Sequence, residues 1–428
     1  MRPYLVISCP ATSRSGYGDH ARDLIRSLIA MDKFELNILD QVWGHCPRTG
    51  LEPADPMNRY ILKGAMKQQP DIWIQLTVPN EFQPVGKYNI GITAGIETDL
   101  CSVDWVNGCN RMNKIIVPSE HSKYVLKKTS WEEREKGTDR VINKLQVNKD
   151  IDVLFEGLDL DIFKKTKDIP DTIKKSIDSI KNDFCYLMVG HWLHGDLGQD
   201  RKDIGMTIKT FCEAFKNKSP KNMPALIVKT SSATFSLSDR EDMINRIKAI
   251  KSSINSKNLP EVHLLHGDLT VEEMNGLYNH PKVKAMISFT KGEGFGRPLL
   301  EFSNTGKPTI VSNWSGHIDF MSAYGIMLPG EIKQVHESVV WENVILKESK
   351  WFTVNYEYAA NIILDVYKNY KKYHEKSRKQ TQYIKENFSL NSMTEKFDKI
   401  MSEISEGFTD NIKLDAGLGK LEEVVTHE

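Results

Sequence analysis

The stretch Lys291-Gly-Glu-Gly-Phe-Gly-Arg-Pro-Leu-Leu-Glu301 constrains the fold of this chain more than any other. An apolar, strand-like run, residues 283–289, leads into it, and a short helical pattern, residues 299–304, follows. Pro298 suits a first helical turn, where its missing N–H costs nothing. The local structure expected is therefore strand, glycine loop, helix. Glycines let a backbone approach a ligand closely, and a helix start directs free N–H groups at an anion. Glu293 and Glu301, with seven residues between them, bracket this loop. Carboxylates accept hydroxyl hydrogen bonds, so the stretch is suited to a polyol beside a phosphate.

The same order of elements recurs. Residues 4–9 read as a buried strand, followed by a loop through Gly16-Tyr-Gly18 and a helix from about Asp19 to Met31 with Asp19 in its N-cap region. Gly16-x-Gly18 lacks the third glycine of a dinucleotide fingerprint. Further strands are expected at 35–39, 71–76, 89–93, 113–117 and 151–155, with a helix over 58–68 and another capped by Ser119. Ligands in open α/β sheets bind at the carboxyl ends of strands, which places Glu97, Asp99 and Ser119 beside a cleft. Glu97 and Asp99 read equally as ordinary capping or solvated acids. After a polar, lysine-rich linker come strands at 184–190, 225–229, 262–265 and 309–312. Helices are expected at 355–373, 375–387 and 390–404, with a polar tail from about Gly407.

The Glu-x7-Glu block, the preceding Leu269-Thr-Val-Glu-Glu-Met-Asn-Gly-Leu-Tyr278 and the following Gly306-Lys-Pro-Thr-Ile-Val-Ser312 resemble the retaining GT-B glycosyltransferases of family 4, also called group 1. So do Val117-Pro118-Ser119 and Gly157-Leu-Asp-Leu-Asp-Ile-Phe163. The resemblance implies an α/β GT-B fold. Two Rossmann-like domains with parallel sheets face a central cleft, and a C-terminal helix crosses back. The expected boundaries are 1–165 for the acceptor-side domain, 166–387 for the nucleotide-sugar domain, and 388–428 for the crossing helix and tail. It implies a retaining, metal-independent transfer of a hexose or pentose from a UDP- or GDP-type nucleotide-diphosphate sugar, the co-substrate, to a hydroxyl on a glycan or lipid-linked sugar, with no further cofactor. Glu293, Lys202 and Arg201 are then the catalytic candidates. The donor is expected against Lys229, His266, Gly267, Leu269, Gly294, Phe295, Gly296, Arg297 and Glu301. The acceptor is expected near Gly16, Tyr17, Gly18, Glu97, Asp99 and Ser119. Where the family carries an arginine directly after the strand glycine, this chain has His191, and Arg201 is the candidate replacement because a guanidinium clamps phosphate oxygens with two hydrogen bonds.

The 428 residues suggest two or three domains and balance 57 basic against 57 acidic side chains, so global charge points to neither nucleic acid nor membrane. One stretch, opening on Lys123 and closing on Lys149, carries eight lysines and arginines against four acids. It reads as a solvated insertion, with peripheral contact to an anionic membrane or nucleic acid as the alternative. That stretch and residues 368–379 keep modified DNA bases in view as an acceptor. An inactive nucleotide-sugar or carbohydrate-binding protein is the third reading. Six cysteines without a C-x-x-C pair read as reduced thiols of a cytoplasmic protein. No apolar run approaches membrane-spanning length, and the opening run reads as a first strand rather than a signal peptide.

Overall fold

The computed structural model describes residues 2–219, 223–232 and 235–416, with side chains to 405. Eight strands belong to the first half: β1 (Tyr4–Cys9), β2 (Glu35–Asp40), β3 (Ile72–Leu76), β4 (Tyr88–Ile92), β5 (Lys114–Val117), β6 (Ser130–Arg134), β7 (Val141–Gln146) and β8 (Asp150–Val153). Six of them form one parallel sheet in the order β2-β1-β3-β4-β5-β8. Helices α1 (Gly16–Met31), α2 (Val103–Arg111) and α3 (Glu120–Lys128) lie between its strands. The chain then passes through α4 (Asp171–Asp178) into a second parallel sheet. This comprises β9 (Cys185–Val189), β10 (Ala225–Lys229), β11 (Val262–Leu265), β12 (Val283–Ser288), β13 (Thr309–Ser312) and β14 (Ile326–Leu328), ordered β11-β10-β9-β12-β13-β14. Its helices are α5 (Ile204–Phe215), α6 (Leu237–Ser252), α7 (Val271–Asn279), α8 (Arg297–Ser303) and α9 (Ile318–Met321). An antiparallel pair, β15 (Gly330–Gln334) and β16 (Lys350–Val354), precedes α10 (Tyr356–Lys368), α11 (Tyr370–Asn387) and α12 (Leu390–Ala416).

The strands are apolar on both faces because helices cover both faces, as parallel sheets require. One face of the first sheet packs on α2 and α3 through Trp73, Trp105, Val106, Val125 and Leu126. The other face packs on α1 and, from the far end of the chain, on α12: Ala21, Leu24, Ile25 and Leu28 meet Met393, Phe397 and Met401. The last helix therefore completes the first domain's core. Ser27 and Thr394 hydroxyls, 2.8 Å apart, and the Lys33–Asp398 pair add polar ties.

Several expectations are corrected. Residues 58–68 form no long helix; a 3-10 turn, Pro56–Tyr60, capped by Asp55, stands there, and Pro56 and Gly64 break up the pattern. Helix α1 starts at Gly16, capped by the Ser15 hydroxyl rather than by Asp19, which sits in its first turn. Stretch 123–149, read as a solvated insertion, is the end of α3 and the hairpin β6–β7, whose strands are indeed mostly exposed, with Arg134 paired to Glu132 and Asp139. Helix α12 runs to Ala416 instead of ending at residue 404, and the remainder of the expected tail, 417–428, lies outside the described residues.

Phe397 is fully enclosed between α1 and the first sheet. Phe397→Ala is expected to cost about 3–5 kcal/mol, read as an earlier thermal or urea transition. An unchanged transition would mean that α12 does not belong to the first domain's core.

Candidate active site

The order of the second sheet reverses between β9 and β12, since the chain leaves β9 toward β10 on one side and returns to β12 on the other. A crevice opens at the carboxyl ends of strands at such a point. The loops leaving β9 and β12 carry the candidate catalytic residues, and they converge. The Lys202 ammonium bonds Glu293 Oε1, and Arg201 Nη1 lies 3.3 Å from Glu293 Oε2 and 3.1 Å from the Gly292 carbonyl. Burial alone would raise the Glu293 carboxyl, but the two cations outweigh it and hold it at about 2. Ser315 Oγ accepts the Glu293 backbone N–H at 2.9 Å, fixing the loop from the β13 side. Lys202 is itself lowered by desolvation, with Glu293 opposing the shift.

Lys229 ends β10 and donates to the Gly267 carbonyl at 2.7 Å. Desolvation and the neighbouring Lys202, Lys229 and Arg201 lower the His191 imidazole, so at neutral pH a neutral ring stands directly after the glycine that follows β9. Arg201 reaches the same loop from ten positions later in the sequence. His266 is committed to Asp239, 2.7 Å away, and Asp239 also accepts from Ser232. Gly267 adopts φ +127°, a conformation costly for other residues.

Glycine has a steric task in the Glu293 loop. A Cβ on Gly294 would lie 2.0 Å from the Ala94 carbonyl oxygen, and one on Gly292 would lie 1.8 Å from that of Glu97. The loop leaving β4 therefore packs backbone to backbone against the loop leaving β12. Ser119 Oγ donates to the Gly294 carbonyl at 2.6 Å, closing the same contact from α3. Glu97 lies 3.7 Å from Arg201, whereas Asp99 bonds the backbone N–H of Lys350 at 2.6 Å. Tyr17 donates or accepts at Thr93 Oγ1, 3.1 Å away, and accepts from the Ala94 N–H. Gly18 is needed for close packing on the Ser13 carbonyl, while Gly16 has open space around it.

The remaining donor candidates divide. Gly296, at φ +97°, opens α8. Phe295 turns its ring into the core against Phe320. Arg297 is engaged with acids: Asp23 Oδ2 at 2.6 Å, Glu301 Oε1 at 3.1 Å and Glu156 Oε2 at 3.9 Å. Glu301 also accepts from the Tyr278 hydroxyl at 3.0 Å. Burial pushes Glu301 up to about 7, with Arg297 opposing and Asp19 adding to the rise. Glu156 rises to about 8 for the same reason, despite Arg297. The Leu269 carbonyl accepts from Arg14, which also pairs with Asp268, so a first-domain loop caps this edge.

Sequence reasoning missed Asp23, Glu156 and Arg14. Asp23 follows Asp19 by four positions on α1, the one available signal; Glu156 and Arg14 have no local pattern that distinguishes them from surface charge.

No family model and no curated protein matches the chain. Solved structures do. A glycosyltransferase from Rickettsia africae ESF-5 aligns over 94% of this chain and 98% of its own, at 16% identity and TM-score 0.62. Sucrose-phosphate synthase from Thermosynechococcus elongatus aligns over 95% and 100%, at 11% identity and TM-score 0.62. Anabaena HepE, solved in complex with UDP-glucose, aligns over 94% and 100%, at 11% identity and TM-score 0.56. The fold is that of the GT-B glycosyltransferases: two Rossmann-like domains built on parallel sheets.

The raised acids make stability depend on pH. Between the unfolded pKa near 4.5 and the folded value of about 8, native Glu156 keeps a proton that the unfolded chain has released, so its contribution falls as pH rises. Glu156→Gln is expected to be more stable than the parent by about 4 kcal/mol at pH 8 and by less than about 1 kcal/mol at pH 5. Calorimetric melting at both pH values tests this; parallel profiles would place Glu156 in an ordinary, solvated state.

Proposed function

We propose that the protein is a retaining glycosyltransferase that moves a sugar from a nucleotide-diphosphate donor to a hydroxyl acceptor. The observation that carries this reading is the meeting of Lys202 and Arg201 with Glu293 at the switch point of the second sheet. The GT-B fold and the UDP-glucose bound to the Anabaena neighbour support it.

In this reading the donor diphosphate lies against Lys202 and Arg201, with Lys229 and the loop amides of residues 294–297 assisting. Cations preorganised at the leaving phosphate stabilise its growing charge without a metal ion. Glu293 holds donor-sugar hydroxyls and Glu301 the ribose. The ion pairs on Glu293 keep it ionised and therefore an acceptor of hydroxyl hydrogen bonds across the neutral range. The nucleobase lies at residues 266–269. The acceptor enters from the first domain, near Tyr17 and Glu97, and passes its proton to the leaving phosphate on the same face. Arg297 serves this site by position: it ties α8 to Asp23 of α1 and neutralises part of the acid cluster around Glu301.

A thermal-shift screen of UDP-, GDP- and ADP-sugars identifies base and sugar together, because a ligand at 100 times its Kd adds about 2.7 kcal/mol of stability. Lys202→Ala is expected to weaken binding of the stabilising nucleotide about 10- to 100-fold, measured by calorimetry; unchanged affinity would remove Lys202 from the diphosphate. Glu293→Ala is expected to lower turnover by about 100-fold or more with the fold intact. Near-normal turnover would exclude Glu293 from the reacting sugar.

A further inference from the structure

Positive charge gathers at the amino ends of β12 and β13, the opposite end of the second sheet from the cleft. Lys284 stands two residues before Met286 and Lys307 two before Thr309, and Met286 and Thr309 are register partners. The two lysines are therefore level on adjacent strands. Other segments bring cations to the same place. The Tyr370 hydroxyl donates to the Lys284 carbonyl at 3.1 Å, which seats the start of α11 there. Further along α11, Arg378 Cγ lies 3.9 Å from where a Cβ on Gly306 would be, so its stem crosses the residue before Lys307. Asn279 holds a third segment: it donates to the Lys164 carbonyl at 2.9 Å and accepts the Thr166 N–H at 3.1 Å. The carbonyl of the next residue, His280, accepts from Lys307 Nζ at 2.9 Å.

These cations are close enough to repel one another. Burial, then Lys284 and Lys165, lower the Lys307 ammonium to about 7. Burial, then Lys165, Arg378 and Lys307, lower the His374 imidazole. Lys164, Lys165, Lys284, Arg378 and Lys379 make no ion pair among the described residues. Two acids stand at the edge: Asp178, 3.3 Å from His280, and Glu375, beside His374. Segments 164–181, 282–284 and 368–385, with Lys307, hold sixteen lysines and arginines against four acids, in a chain balanced overall. A solvated charged face interleaves its signs, as the β6–β7 hairpin does. This one does not, and its self-repulsion costs stability that a bound polyanion restores.

We propose that this surface docks the phosphate backbone of double-stranded DNA. The basic positions of α11 run from Lys371 to Lys385, about 21 Å at 1.5 Å per residue, or about six phosphates at 3.4 Å along one strand. Lysine, a compact point charge, dominates, which suits phosphates rather than base edges, so the contact positions DNA without reading its sequence. An anionic membrane is the competing occupant. The surface lacks the apolar anchors of an interfacial helix: no large hydrophobic side chain is exposed on segments 164–181, 282–307 or 368–385. DNA held here is not an acceptor in the cleft. Glu293 lies beyond the carboxyl end of β12, a six-residue strand about 20 Å long. The inference therefore stands independently of the sugar-transfer reading.

Fluorescence anisotropy of the full chain with a labelled, mixed-sequence duplex of about 20 base pairs tests it. Binding is expected at about 1–100 μM near physiological salt, with a slope of about −4 or steeper in log K against log salt. Combined Lys164→Glu, Lys165→Glu, Arg378→Glu and Lys379→Glu, all at exposed positions, are expected to weaken binding at least about tenfold and to flatten the slope. Four reversals near and on the hairpin, Lys128→Glu, Lys136→Glu, Arg140→Glu and Lys144→Glu, are expected to leave affinity within about threefold of the parent. Circular dichroism and melting establish that each variant folds; if the first does not, the pair Lys165→Glu and Arg378→Glu decides. Absence of duplex binding at low salt would overturn the proposal, as would binding that survives the first set of reversals or is abolished by the second. Tighter binding to phosphatidylcholine vesicles with about 30% phosphatidylserine at the same salt would overturn it in favour of a membrane. Failure to bind any nucleotide sugar would instead count against the donor reading alone, because none of these residues lines the cleft.

Discussion

The cleft depends on a contact between two backbones. The Ala94–Glu97 segment and the Gly292–Gly294 segment approach so closely that one added Cβ at Gly294 would overlap a carbonyl oxygen of the opposite loop. Packing of this kind needs no side chain and tolerates none. It brings the carboxyl ends of two separate sheets within reach of each other. The Ser119–Gly294, Arg14–Leu269 and Asp99–Lys350 hydrogen bonds, and the Arg201–Glu97 pair, are arranged around it.

Charge within the cleft is sorted into two groups. On the β9–β10 side, Arg201 and Lys202 flank one acid, Glu293, whose carboxyl they hold at about 2, and Lys229 ends β10 on the Gly267 carbonyl. Near α8, Arg297 faces Asp23, Glu156 and Glu301, and burial raises two of these acids to about 7 and 8. The first group suits an anionic leaving group, since its cations are preorganised and Glu293 is a counter-charge that a diphosphate can replace. The second is protonated in part near neutral pH and suits hydroxyl groups, which donate to carboxylates and accept from carboxyls. The two glutamates of one eleven-residue stretch thus end in opposite electrostatic settings.

The α/β architecture was legible because both sheets are buried on both faces. Their strands read as short apolar runs with turn formers between them, and these match β1, β3, β4, β5, β9, β10, β12 and β13 closely. Failures fell where no buried face imposes a period. The helix expected over 58–68 is irregular, and the stretch 123–149 hides a hairpin with exposed strands. Residues 330–354, without a clear pattern in the sequence, form an antiparallel pair because Trp351 packs into a small core with Val335, Val339 and Ile345.

For the site, the sequence by itself determined the chemical vocabulary: a glycine loop between Glu293 and Glu301, and a lysine and arginine at the start of α5. These are local facts, because strand–loop–helix geometry is set by neighbouring residues. Only the tertiary structure decided which charges meet. Lys202 and Glu293 are 91 positions apart, and Arg297 and Asp23 are 274 apart. No local periodicity records such pairs. They exist because the second sheet reverses its order at β9 and because the loop leaving β4 meets the loop leaving β12 at a contact that glycine alone permits.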